Sequence, residues 1–159
     1  MSQVFLRPMS SEEFTPWKSQ SEEEYARDKQ TQGLSEEEAR AVAEKSTSTL
    51  LPQGLRSPDQ YLSMVVDSIS QEVVGSLWWG VQRESKEPLA WIYNIRIDEK
   101  HRSIGYGRAA MIAAEADVKG KGFTRFGLHV FGYNLAARKL YQSLGFAEIN
   151  VVMHKQLAP

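Results

Sequence analysis

The hydrophobic period of this chain changes near Tyr61, and that change excludes all-helical and all-β folds alike. Val4 to Arg7 predicts a short strand ended by Pro8, and Ser10 with Glu13 forms a Ser-x-x-Glu capping box opening a helix. Phe14, Trp17, Ser21 and Tyr25 share one face of it, and Gly33 stops it. Ser35 and Glu38 repeat the box, and Ala39, Val42, Ala43, Thr47 and Leu50 mark a second amphipathic helix ending before Pro52 and Gly54. From Tyr61 the pattern is β-rich. Tyr61 to Val66 and Val73 to Val81 predict a hairpin around the polar turn Asp67 to Gln71, and Leu89 to Ile97 a longer strand. A polar loop from Asp98 to Gly107 follows, then a helix from Arg108 to Lys119 with the stop Gly120-Lys121-Gly122. Phe126 to Phe131 reads as a strand, Asn134 to Leu144 as a helix and Ile149 to His154 as a closing strand. Hairpins mixed with crossovers make this an α/β (α+β) chain with a mixed sheet flanked by helices.

Its 159 residues are about one domain at roughly 150 residues each, so 1–159 is expected to be a single domain. The strand and helical pair occupy 1–55, and the motif-bearing part 72–155. Without cysteine the chain has no disulfide, no thiolate metal site and no cysteine acyl-enzyme. His101, His129 and His154 lack metal-ligand spacing, so no metal is expected. The first residues show no basic stretch leading into a long apolar one, and the longest apolar run, Ala109 to Ala114, is far too short to span a bilayer. A soluble cytoplasmic protein without a membrane partner is expected. Residues 1–50 carry six Lys/Arg against ten Asp/Glu, and residues 51–159 carry thirteen against ten. The net charge of −1 argues against a nucleic-acid surface, while the basic second half suits a local anionic ligand.

The loop Arg102-Ser103-Ile104-Gly105-Tyr106-Gly107 lies between a strong strand and a helix of small residues. Glycines there let backbone N–H groups turn inward at a helix N-terminus, which favours a diphosphate; the alternative is a plain loop with two turn glycines. Gly105 to Ala110 also satisfies Gly-x-Gly-x-x-Ala. The dinucleotide fingerprint, however, needs a first glycine close to the strand and an acidic residue about 20 positions on, and neither is present. A Walker loop and a Gly-x-Ser-x-Gly elbow are absent as well.

Downstream stands Asn134-Leu-Ala-Ala-Arg-Lys-Leu-Tyr141-Gln-Ser-Leu-Gly145-Phe146, a helix with a natural N-cap and a natural stop. Together with Arg102-x-x-Gly-x-Gly it closely resembles the two signature segments of the GNAT N-acetyltransferase superfamily, over about residues 72–155. The resemblance implies a sheet splayed centrally, between the strands Leu89–Ile97 and Phe126–Phe131, to hold acetyl-CoA. It implies that the backbone of Ile95 and Ile97 takes the pantetheine arm like an added strand. The N–H groups of Arg102, Ser103, Ile104, Gly105, Tyr106 and Gly107 would hold the diphosphate, with Asn134 a further cofactor contact.

The implied activity moves acetyl from acetyl-CoA to a primary amine, and without cysteine a direct ternary-complex transfer is expected. Tyr141 matches the family's tyrosine acid; its structural alternative is a packed helix tyrosine. His129 is the candidate base, or a hydrogen-bonded strand residue. It stands five residues before Asn134, where a branch that acetylates protein N-termini looks to have a glutamate. Glu87, Glu99 and solvent water are the other candidates. Trp17, Trp78, Trp79, Trp91 and Tyr93 suit an acceptor pocket, although core packing is the expectation for most. The acidic first fifty residues suit a cationic acceptor such as a polyamine, an aminoglycoside-like amine or a peptide N-terminus. A homodimer is compatible with the sequence. The competing function is a non-catalytic acyl-CoA-binding regulatory module.

Overall fold

The computed structural model describes residues 2–159, which form two compact units meeting in sequence at Leu128/His129. The first unit holds strand β1 (Val4–Pro8), helices α1 (Ser11–Thr31) and α2 (Glu36–Leu50), strands β2 (Gln60–Asp67), β3 (Val73–Gln82) and β4 (Leu89–Ile97), helix α3 (Tyr106–Gly120) and strand β5 (Phe126–Leu128). Single 3-10 turns span Gly54–Arg56 and Glu99–His101. The sheet runs β1-β2-β3-β4-β5, antiparallel except for the parallel pair β4/β5. A parallel pair needs a crossover, and the 98–105 loop with α3 supplies it. The expected mixed α/β sheet is therefore the one observed.

β3 is buried along nearly its whole length because helices cover both faces of the sheet there. Side chains alternate across a strand, so neighbouring tryptophans serve different layers. Trp78 meets Trp17 of α1 edge to face at 5.6 Å, within a cluster that includes Met9, Leu51 and Leu62. Trp79, fully buried, sends its Nε1–H to Asp117 Oδ2 of α3 at 2.9 Å. On that side lie the buried α3 residues Ala110, Met111, Ala114 and Val118. Between α1 and α2, the small Ala26, Ala39 and Ala43 let the helices approach closely. Core packing thus accounts for Trp17, Trp78 and Trp79, whereas Trp91 and Tyr93 remain half-buried.

Both capping boxes form, with reciprocal bonds between Ser10 and Glu13 and between Ser35 and Glu38. Three expectations are corrected. Helix α3 begins at Tyr106 rather than Arg108, because Gly105 in a left-handed conformation (φ 98°) serves as its N-cap. β5 ends at Leu128 rather than at Phe131, and its register with β4 covers only three residues. Ile149 to His154 forms no strand, and Ile149, Val151, Val152 and Met153 are 66–86% exposed. The β-branched residues there supply β-propensity, but a strand also needs a hydrogen-bonded neighbour.

Glu13 joins its cap to Arg7 through two bonds of 2.9 and 2.8 Å. The Arg7 guanidinium, helped by the Ser10 N–H and opposed by burial, holds the Glu13 carboxyl at about 2 instead of 4.5. Its folded value lies below its unfolded one, so its contribution to stability is complete above about 4.5 and is lost as pH falls toward 2. Glu13→Gln should be less stable than wild type at neutral pH, with the gap closing across that window in urea melts. A gap that stays constant would mean that the ion pair carries no stability.

Candidate active site

Strand β4 organises the site through its register. It pairs with β3 throughout but with β5 only over Ala90–Ile92, so from Tyr93 to Ile97 one edge has no strand neighbour among the described residues. Asp98 donates its N–H to the Val74 carbonyl at 2.9 Å, which makes these two a hydrogen-bonded pair. Antiparallel pairs alternate, so Ile97/Gly75 and Ile95/Leu77 are non-hydrogen-bonded pairs. The N–H and C=O of Ile95 and Ile97 therefore point away from β3, at the open edge. Ala90 points the same way, donating to the Arg125 carbonyl at 3.0 Å. Residues 90 and 95 share a direction only if one extra residue intervenes. That residue is Tyr93, left without a partner where the register shifts at Trp78/Trp79, a β-bulge.

The next segment ties itself to this edge. Arg102 Nε donates to the Ile97 carbonyl at 2.9 Å, and the Arg102 N–H to the Glu99 carbonyl at 3.3 Å. Arg102 is thus a fastener of the loop, and its N–H does not join the expected row of donors. The N–H groups of Ser103, Ile104, Gly105, Tyr106 and Gly107 have no acceptor among the described residues. Ser103 and Gly105 are both left-handed (φ 64° and 98°), the backbone state that lets successive N–H groups converge on an anion. Ser2 Oγ braces the same loop by donating to the Ile104 carbonyl at 2.6 Å.

The start of α3 differs from the other helix starts of this unit. α1 and α2 each have a serine cap and acidic residues in the first turn. α3 has a glycine cap without a side-chain bond and no acidic residue in its first turn. Its dipole and its free N–H groups are left for an external anion. Arg96, on β4, pairs with Glu24 of α1 at 3.2 Å and with Asp98 at 3.6 Å, which links the α1 layer to the head of this loop. The aromatic face beside the open edge is stiffened by Tyr93 stacked on Trp78 at 4.8 Å.

The second unit holds the remaining candidates. Its helix α4 (Leu135–Ser143) is capped by Asn134, whose Oδ1 accepts the Ala137 N–H at 3.3 Å. Gly145 (φ 94°) ends it, and Phe146 folds back to donate to the Tyr141 carbonyl at 3.0 Å. Tyr141 is half-buried with its ring 6.0 Å from that of Phe146, and burial raises its pKa, so the phenol keeps its proton at neutral pH. His129 is exposed and lies one residue past the end of β5, off the strand on which the sequence pattern puts it. Its ring meets Phe131 edge to face at 5.0 Å. Glu87 and Glu99 are exposed at loop positions of the first unit. Neither the bulge at Tyr93 nor the Arg96 link has a sequence signal, since both are set by partners distant in the chain.

A sheet edge left open beyond β5, followed by a loop and helix start with free N–H groups, suits an extended ligand that carries an anion at one end. The chain belongs to the acetyltransferase (GNAT) family, whose model matches residues 12–146. It is 34% identical over 156 residues to YycN of Bacillus subtilis (strain 168), described as an uncharacterized N-acetyltransferase, covering 97% of this chain and 99% of that one. It is 30% identical over 153 residues to YdgE of the same organism, likewise an uncharacterized N-acetyltransferase, covering 96% and 97%. The crystal structure of YycN superposes with a TM-score of 0.89 at 33% identity, covering 99% of this chain and all of that one.

Gly105→Ala should cost about 1–2 kcal/mol, the scale of forcing a side chain into the left-handed region. Gly120→Ala, at the other end of α3 with open space around it, should be neutral or stabilising by about 0.5 kcal/mol. Urea denaturation of both variants measures the contrast.

Proposed function

We propose that the protein is an acetyl-CoA-dependent N-acetyltransferase that acts on a primary amine by direct transfer in a ternary complex. The observation that carries this reading is the unguarded start of α3 next to the open edge of β4. A long ligand with amide groups at one end and a diphosphate at the other matches both features in sequence. The edge presents the Ile95 N–H and C=O and the Ile97 N–H to the pantetheine amides, since the Ile97 carbonyl is already held by Arg102. Ser103 to Gly107 present their N–H groups to the diphosphate. The family match runs across the boundary between the two units, which supports reading 1–159 as one catalytic domain.

Three events must be served. The acceptor amine loses a proton, its nitrogen bonds the thioester carbonyl carbon, and the carbon–sulfur bond breaks as the thiolate takes a proton. We assign the last proton to Tyr141, which burial keeps in its protonated form. We assign the first to His129, either directly or through water, because its exposure past β5 leaves the imidazole accessible to solvent. Asn134 holds the start of α4, and its carboxamide is the further cofactor contact. The acidic surface of α1 and α2 supports a cationic acceptor such as a polyamine, an aminoglycoside-like amine or a peptide N-terminus.

A panel of such amines with acetyl-CoA and mass detection of the products tests the activity. A chain that binds acyl-CoA yet acetylates no amine would instead be a regulatory binding module. Tyr141→Phe should lower kcat by about 10² or more while CoA affinity measured by calorimetry changes little. Equal losses in both would make Tyr141 a packing residue. His129→Gln should lower kcat/KM for the same acceptor while CoA affinity measured by calorimetry changes little, and an unchanged kcat/KM would assign the proton abstraction to solvent water.

A further inference from the structure

Asp67, the last residue of β2, is 7% exposed and has both carboxylate oxygens occupied. Oδ1 accepts the N–H groups of Ile69 and Ser70 at 2.8 and 2.7 Å, which fixes the carboxylate in the β2–β3 turn. Its main chain is held in the same turn, with its N–H donated to the Glu72 carbonyl and its C=O accepting from Gln71, both at 2.9 Å. Oδ2 reaches outward and accepts the Tyr106 hydroxyl at 2.6 Å. Tyr106 is the first residue of α3, and its N–H is one of the free donors. Across the loop, the His101 ring meets the Tyr106 ring edge to face at 5.8 Å. The α3 N-terminus has no capping side chain of its own, so this phenol is a fixed link from its first residue to the sheet.

We propose that Asp67 is a positioning residue for the cofactor diphosphate: through the Tyr106 hydroxyl it sets the first turn of α3 so that the loop N–H groups are aligned before the ligand arrives. This rests on the reading of that loop as a diphosphate cradle. A carboxylate this close to an anion site opposes the ligand by its charge, so its benefit must be geometric. Three hydrogen-bond donors disperse that charge. Preorganisation of donors lowers the ordering cost of binding and shows as affinity.

The geometric role separates from the electrostatic one by substitution. Tyr106→Phe removes the link and keeps the ring, while Asp67→Ala removes both link and charge. Asp67→Asn keeps an oxygen for the Ile69 and Ser70 N–H groups and offers an amide N–H to the Tyr106 oxygen without the charge. Calorimetry with CoA and with pantetheine, which lacks the diphosphate, reads the effect. Tyr106→Phe and Asp67→Ala should each weaken CoA about tenfold, the scale of one net hydrogen bond, and the double variant should be no worse than either alone. Asp67→Asn should bind CoA as wild type or better, and pantetheine affinity should be the same in every variant. If Asp67→Ala fails to fold, Tyr106→Phe carries the comparison. Unchanged CoA affinity in Tyr106→Phe, or an equal loss for CoA and pantetheine, overturns the proposal while the cradle stands. A wild-type chain that binds no CoA overturns the cradle and the proposal together.

Discussion

The end of β5 after three paired residues is the constraint on which the open edge of β4 depends. A strand that outlasts its neighbour leaves backbone donors and acceptors unpaired, and buried or half-buried ones are costly unless something else pairs with them. Here the cost is limited, because Arg102 takes the Ile97 carbonyl and the remaining groups lie on a half-buried edge. Along that edge the backbone groups of Ile95 and Ile97 lie in the plane of the sheet, whereas the side chains of β4 project to its two faces.

Both faces of the sheet hold that opening in place. Trp78 is clamped between Trp17 and Tyr93 on the α1 side, at 5.6 and 4.8 Å, and Trp79 is bonded to α3 on the other. The Arg96 pairings with Glu24 and Asp98 are only about a quarter to a third exposed at each end, which keeps them less screened than a pair in open solvent. The result is a rigid strand end from which the 98–105 loop departs in one direction. Rigidity of this kind converts a flexible glycine-containing loop into a set of donors at fixed positions.

Much of this was legible in the sequence because the controlling interactions were local. Both capping boxes, the hairpin, and the bounds of Leu89–Ile97 follow from residues within a few positions of one another, and so does the Asn134 cap. Family resemblance alone points to Ile95 and Ile97, and the pairing of β4 with β3 gives the physical reason that their backbone groups face the open edge. What escaped is non-local. The bulge at Tyr93 depends on β3, and the Asp67–Tyr106 bond joins residues 39 apart. The β-branched run Ile149 to His154 predicts a strand, yet composition describes a side-chain preference and contains no information on whether a neighbouring strand is there to pair with. The pattern puts the helix start at Arg108 and the structure at Tyr106, because glycine signals a turn equally well before a helix and in its first turn.

The bulge also changes what kind of variation β4 can absorb. With Tyr93 as an unpaired extra residue, the two ends of the strand present opposite parities to the same edge. Substitutions along Tyr93 to Ile97 alter side chains while leaving the pattern of backbone donors and acceptors in place. Loss of that one extra residue would close the bulge, with Asn94 following Ile92 in an unbroken ladder against Trp78 and Trp79, and Ile95 and Ile97 would still face the opening. The bulge therefore lets this stretch differ by one residue in length while the donors and acceptors at the open edge keep their direction.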